Sequence, residues 1–298
     1  MTQPRDLLVA DSVPSRSVPS GAARVAGVVG WPVRHSLSPR LHGYWLQRYG
    51  IDGAYIPLAV APDNFRRCLR ALPDMGFAGV NVTIPHKEAA LDEVDKLTER
   101  ARRIGAVNTV TVTDDGKLHG DNTDAFGFAQ SLAEAVPDWQ GKGEHAVILG
   151  AGGAARAVCV ALIEAGIGEI RLVNRTGGRA DSLAKDLEGA ITVWPWEYRS
   201  EALEDTTILV NTTTLGMGGE GELKIELSYL SADAVVCDIV YVPLRTKLLR
   251  AADARGNAIV DGLGMLLHQA RPGFAAWFGT EPRVSENLRR FLIQGRRG

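Results

Sequence analysis

Four short strings in this chain carry side chains that could act together on a small polar molecule. In His35-Ser36-Leu37-Ser38-Pro39, Ser38 ahead of Pro39 reads as a helix N-cap. A cap leaves Ser36 without a role, and two hydroxyls beside free helix N–H groups would make a neutral receptor for a carboxylate. In Asn81-Val82-Thr83-Ile84-Pro85-His86-Lys87, strand alternation places Asn81, Thr83 and Pro85 on one face and Val82 and Ile84 on the other. Lys87 then falls at an expected helix start, where the dipole disfavours a cation. The ordinary reading of a single lysine is a solvated one. Gly105-Ala106-Val107-Asn108-Thr109 and Gly120-Asp121-Asn122-Thr123-Asp124 each read alone as turn and cap chemistry. Asp124 could simply cap the helix that holds Phe126 and Phe128.

A fifth string concerns a cofactor. Leu149-Gly150-Ala151-Gly152-Gly153-Ala154-Ala155 matches G-x-G-x-x-[GA] after an apolar strand and at the opening of a helix. Gly150 permits the tight turn, Gly152 lets backbone approach a pyrophosphate, and Ala155 allows close helix–strand packing. Ala151, Gly153 and Ala154 complete the loop whose free N–H groups would face the phosphates. The next strand ends in Val173-Asn174-Arg175-Thr176, with Arg179 in the following turn. NAD-binding units usually place Asp or Glu there; two guanidiniums and a hydroxyl suit a 2′-phosphate instead, so NADP is expected. A capped helix start with solvated arginines is the alternative.

The elements that must position these strings alternate between strand and helix, the pattern of an α/β protein with parallel sheets. Strands are expected at 25–29, 54–60, 79–84, 145–149, 169–173, 207–211, 235–239 and 258–260. A hairpin is expected about Asp114-Asp115-Gly116. Helices are expected from Pro39, from Pro62, through Phe126 to Leu132, over 154–165, and near 264–278 and 284–294. At 298 residues the chain has room for about two domains. Lys and Arg number 33 against 35 Asp and Glu, which argues against nucleic acid or an anionic membrane as the main partner. Three scattered cysteines and the absence of HExxH or CxxC spacing give no disulfide framework and no expected metal site. No apolar run approaches ~18 residues, and residues 1–23 read as a flexible leader too short in apolar content for a signal peptide. The cytoplasm is therefore the expected location, as monomer or homodimer.

Taken in order, these strings resemble the shikimate dehydrogenase family from about Arg24 to the C-terminus. Further matching strings are Asn211 through Met217, Asp238-Ile239-Val240-Tyr241 with Pro243, and Gly262-Leu263-Gly264-Met265 with Gln269. The resemblance implies two α/β domains separated by a cleft: a substrate-binding domain at 24–123, completed by C-terminal helices at 263–298, and a Rossmann NADP-binding domain at 124–262. It implies reversible reduction of 3-dehydroshikimate to shikimate with NADPH. Lys87 and Asp124 would be the catalytic pair, and Ser36 and Ser38 with Tyr241 would hold the substrate carboxylate. Thr83, Asn108 and Gln269 would contact ring hydroxyls, and Gly262 would join the cofactor side. A quinate or aminoshikimate dehydrogenase of the same family, and a catalytically silent NADP-binding sensor, remain as alternatives. Small departures are Ala125, Gly43 and the string Asn211-Thr212-Thr213-Thr214.

Overall fold

The structure, a computed structural model, describes residues 18–219 and 221–294. Most of the expected leader, and Arg296 and Arg297, lie outside the described residues. Where the leader enters them it is tied down: the Ser20 N–H donates to Asp52 Oδ1 at 3.0 Å and its hydroxyl bonds the other carboxylate oxygen.

Two six-stranded sheets form from the short apolar runs. The first contains β1 (Arg24–Gly30), β2 (Gly53–Ala59), β3 (Phe77–Val82), β4 (Lys96–Leu97), β5 (Thr109–Val112) and β6 (Leu118–Asp121), in the order β2-β1-β3-β5-β6-β4. β2, β1 and β3 run parallel, whereas β5 pairs antiparallel with β3 and forms the expected hairpin with β6. The second contains β7 (His145–Leu149), β8 (Glu169–Asn174), β9 (Ile191–Pro195), β10 (Thr206–Asn211), β11 (Val235–Asp238) and β12 (Ile259–Asp261). Its strands are all parallel in the order β12-β11-β10-β7-β8-β9, the doubly wound arrangement whose ligand crevice lies where the order reverses, between β7 and β10.

The helices are α1 (Ser38–Tyr49), α2 (Phe65–Arg70), α3 (Glu99–Ile104), α4 (Asp124–Ala135), α5 (Gly153–Glu164), α6 (Gly177–Asp186), α7 (Lys247–Ala254), α8 (Gly262–Phe278) and α9 (Glu286–Gln294). Leu41 and Trp45 of α1, Phe274 and Trp277 of α8, and Leu288 and Leu292 of α9 share one core with Ala26 and Val28 of β1. The C-terminal helices thus cover the first sheet. Phe128 and Leu132 of α4 pack with α5 on the second sheet, together with Met265 of α8. α4 and α8 come close enough that a Cβ on Gly264 would lie 2.2 Å from Ser131 Oγ, and one on Gly127 would lie 2.6 Å from the Gln269 Cβ. Only glycine permits that approach, which carries Gln269 toward the start of α4.

Three local expectations change. β3 ends at Val82, so Ile84 does not share a buried face with it and is 55% exposed. Lys87 is not at a helix start: it lies in a turn ahead of a single 3₁₀ turn at Ala89–Leu91, so no helix dipole opposes its charge. Ser38 does not cap α1, because Leu37 occupies the cap position and no side-chain cap bond forms. The Ser36 hydroxyl instead accepts from the Ser38 N–H at 3.2 Å.

Candidate functional site

Asp124 opens α4 but does not cap it. Thr123 is the cap residue, and the Asp124 N–H donates to Asn122 Oδ1 at 3.0 Å. Asn122 is fixed in turn by donating to the Ala106 carbonyl at 2.8 Å. The Asp124 carboxylate is thereby free for other groups. Lys87 Nζ donates to its Oδ2 at 2.5 Å, and the two side chains are 14% and 6% exposed. Asn108, just ahead of β5, donates through Nδ2 to Asp124 Oδ1 at 2.9 Å and to Gln269 Oε1 at 3.2 Å. Gln269 donates to the Leu266 carbonyl at 3.2 Å on its own helix. Four sequence-expected residues from four separate strings therefore meet in one cluster.

The other residues expected to meet the substrate follow β1 and β3 of the first sheet and β11 of the second. Thr83, just past β3, is half-buried, and its N–H donates to the Val29 carbonyl at 2.9 Å. Ser36 is half-buried and Ser38 buried at the head of α1. Tyr241, beyond β11, is half-buried and its phenol neighbours that of Tyr55.

On the second sheet, Gly150 has φ +107°, and a Cβ there would lie 2.7 Å from Thr212 Oγ1, so the turn requires glycine. At Gly152 a Cβ would meet nothing within 4 Å, so the backbone there is open to a phosphate. Ala151 is buried and Ala154 half-buried. Gly153 faces Lys87: a Cβ would lie 3.1 Å from the lysine Cβ and 3.3 Å from its Cδ. The glycine turn and the ammonium–carboxylate pair are therefore neighbours. At the end of β8, Asn174 Nδ2 donates to the Thr176 carbonyl at 2.8 Å, and Thr176 heads α6 without a side-chain cap bond. Arg175 and Arg179 are exposed, and Arg179 reaches Glu88 at 3.4 Å. No carboxylate occurs from Asn174 through Arg179, a donor set that fits a 2′-phosphate. Gly262 is explained by packing, since a Cβ would strike the Ile239 carbonyl oxygen at 2.2 Å. Among the described residues no group of three or more His, Cys, Asp or Glu side chains converges as a metal-ligand set.

Three buried polar groups were given no role in the sequence reading. Tyr55 donates to Asn81 Oδ1 at 2.6 Å. His42 stacks on the Tyr55 ring at 3.9 Å between centroids, and neither of its nitrogens has a partner. Burial pushes its pKa down to about 3. Asp238 ends β11, and burial pushes its pKa up to about 6. It accepts from Asn211 at 2.9 Å, the Val240 N–H at 3.0 Å and Thr246 at 2.7 Å, tying together the loops after β10 and β11. Tyr55 and His42 sit in apolar strand and helix patterns that signal core alone.

Family models match in two places. The shikimate dehydrogenase substrate binding domain covers residues 28–110, and shikimate / quinate 5-dehydrogenase covers residues 131–216. The chain belongs to the shikimate dehydrogenase family. It is 60% identical over 274 residues to a protein of Paramagnetospirillum magneticum named shikimate dehydrogenase (NADP(+)), covering 92% of this chain and 99% of that one. A solved shikimate 5-dehydrogenase from Thermus thermophilus, in complex with NADP(H) and shikimate, is 36% identical with a TM-score of 0.79, covering 92% of this chain and 99% of that one. A quinate dehydrogenase from Corynebacterium glutamicum, in complex with NAD, is 30% identical with a TM-score of 0.83, covering 91% and 99%. Departures from the shikimate dehydrogenase pattern leave the cluster intact: Ala125 is buried behind Asp124, and Gly43 has open space about it.

Proposed function

We propose that this chain is an NADP-dependent shikimate dehydrogenase, reducing 3-dehydroshikimate reversibly to shikimate on the route to aromatic compounds. The observation that carries this reading is the Lys87–Asp124 pair, joined at 2.5 Å and packed against Gly153 of the dinucleotide turn. NADPH, when bound, supplies a hydride to the ketone carbon of the substrate. Negative charge then grows on the ketone oxygen, and Lys87 donates the proton that neutralises it. Asp124 holds the ammonium in place and balances its charge, while Asn108 fixes the second carboxylate oxygen. Ser36, Ser38 and Tyr241 receive the carboxylate of the substrate; Thr83, Asn108 and Gln269 contact its hydroxyls. Gly150, Ala151, Gly152, Gly153 and Ala154 hold the pyrophosphate, and Asn174, Arg175, Thr176 and Arg179 the adenosine 2′-phosphate. Gly262, at the head of α8, joins the cofactor side, and its missing side chain lets the helix start against the Ile239 carbonyl.

The near balance of charge supports small molecules rather than nucleic acid as partners. Burial pushes the Cys159 thiol up to about 12 and raises that of Cys237, which supports inert thiols in the cytoplasm. No described helix is long and apolar enough to cross a membrane. The test is initial-rate reduction of NADP⁺ and of NAD⁺ with shikimate and with quinate, side by side. Shikimate with NADP⁺ is expected to give the highest kcat/KM. A preference for quinate would move the substrate assignment within the family, and no turnover with either would leave only the sensor reading.

A further inference from the structure

The Lys87–Asp124 pair ends a longer line of hydrogen bonds whose direction is dictated by groups that can only donate or only accept. Asn81 Nδ2 faces the Asn108 backbone carbonyl at 3.1 Å, a pure acceptor. The Asn81 amide oxygen is therefore the atom facing Tyr55, and the phenol must donate to it, at 2.6 Å. Asn108 is fixed in the same way. The Thr123 N–H, a pure donor, reaches its Oδ1 at 2.8 Å, and its Nδ2 faces the Asp124 carboxylate at 2.9 Å. Between the two amides, Thr109 Oγ1 accepts from Asn81 Nδ2 at 3.2 Å and donates to Asn108 Oδ1 at 2.8 Å. Every donor points one way, from Tyr55 through Asn81, Thr109 and Asn108 to Asp124. Such a chain polarises each successive bond toward the anion at its end.

At the other end, burial holds the Tyr55 phenol well above its ordinary pKa, so its proton stays in place and is committed to Asn81. The Tyr55 oxygen can then only accept, and its polar neighbours are the Ser38 hydroxyl and Tyr241. The His42 ring lies parallel to the phenol ring and fixes its plane.

We propose that Tyr55 is a positioning residue for the reaction, coupling Ser38, at the carboxylate end of the cleft, to the Asp124 carboxylate that holds Lys87. This rests on the functional reading above, and turnover of shikimate by the wild-type chain separates failure of that reading from failure of the coupling. The experiment compares Tyr55→Phe, Thr109→Val and Thr109→Ser in steady-state oxidation of shikimate, with melting temperature followed in parallel. Tyr55→Phe and Thr109→Val should each lower kcat by about tenfold or more while KM for NADP⁺ stays within about threefold. Thr109→Ser, which keeps the hydroxyl and loses the methyl, should retain most of the rate. A purely steric role reverses the Thr109 order, because valine fills the site and serine leaves a cavity. A tolerated Thr109→Val, or an active wild-type chain with Tyr55→Phe within about threefold of its kcat, would overturn the proposal. If Tyr55→Phe fails to fold, the Thr109 pair still tests the hydroxyl link through which Tyr55 would act, and a tolerated Thr109→Val overturns the coupling.

Discussion

A half-buried ammonium persists beside a buried carboxylate only when both charges are satisfied. Here Asp124 divides its oxygens, one for Lys87 and one for Asn108, and its backbone N–H is taken by Asn122. Asp124→Asn keeps the side-chain volume but removes the charge that orients Lys87. Its kcat should fall by about 10²-fold or more, with shikimate still detectable by binding calorimetry. On the cofactor side, Arg175→Ala should weaken NADPH by about tenfold or more and leave NADH nearly unchanged, because charge-assisted hydrogen bonds to a phosphate are the strong ones. Equal losses for the two nucleotides would remove the 2′-phosphate assignment. Lys87, Asn108 and Asp124 stood out in the sequence because each lies in a polar string, and it was the combination of those strings that needed explaining; Gln269 entered only through the family resemblance. Tyr55 was not, since an isolated tyrosine in a strand looks like core until its hydrogen-bond partners are known.

Elements with strong apolar periodicity were also legible, among them β7, which occupies His145–Leu149 as expected. α3, α6, α7 and β9 were not. α3 has six residues, α6 opens on two glycines, and β9 ends in proline, so local propensity gives little signal and tertiary packing decides. The loops after β10 and β11 hold a testable electrostatic feature in Asp238. Its carboxyl is raised from 3.8 to about 6 by burial, so the folded state holds a proton that the unfolded chain releases earlier. The stability this contributes is complete below pH 3.8 and is lost as pH rises through 6, on the order of 3 kcal/mol. Asp238→Asn should therefore gain in melting temperature relative to wild type between pH 4 and pH 7. A difference between the two that stays constant over that range would show that Asp238 does not titrate there.

Across the whole molecule, Asp238 and His42 respond to acid with opposite signs. His42, packed on the first sheet, is lowered from 6.5 to about 3, so the stability it contributes is complete above pH 6.5 and lost as pH falls toward 3. His42→Phe should thus compare more favourably with wild type at pH 5 than at pH 8, by about 2 kcal/mol in denaturant unfolding. The two-sheet architecture was legible from alternation of strand and helix. What alternation could not convey is the close approach of α4 and α8 at Gly127 and Gly264, which brings the C-terminal Gln269 onto Asn108. That approach and the contact of Lys87 with Gly153 turn separate strings into one site. The most direct measurement of the account is steady-state oxidation of shikimate by Lys87→Ala with NADP⁺. The expected result is a kcat lower by about 10²–10⁴-fold with a much smaller change in KM. A kcat near that of the wild-type chain would contradict it, since another group would then be moving the proton.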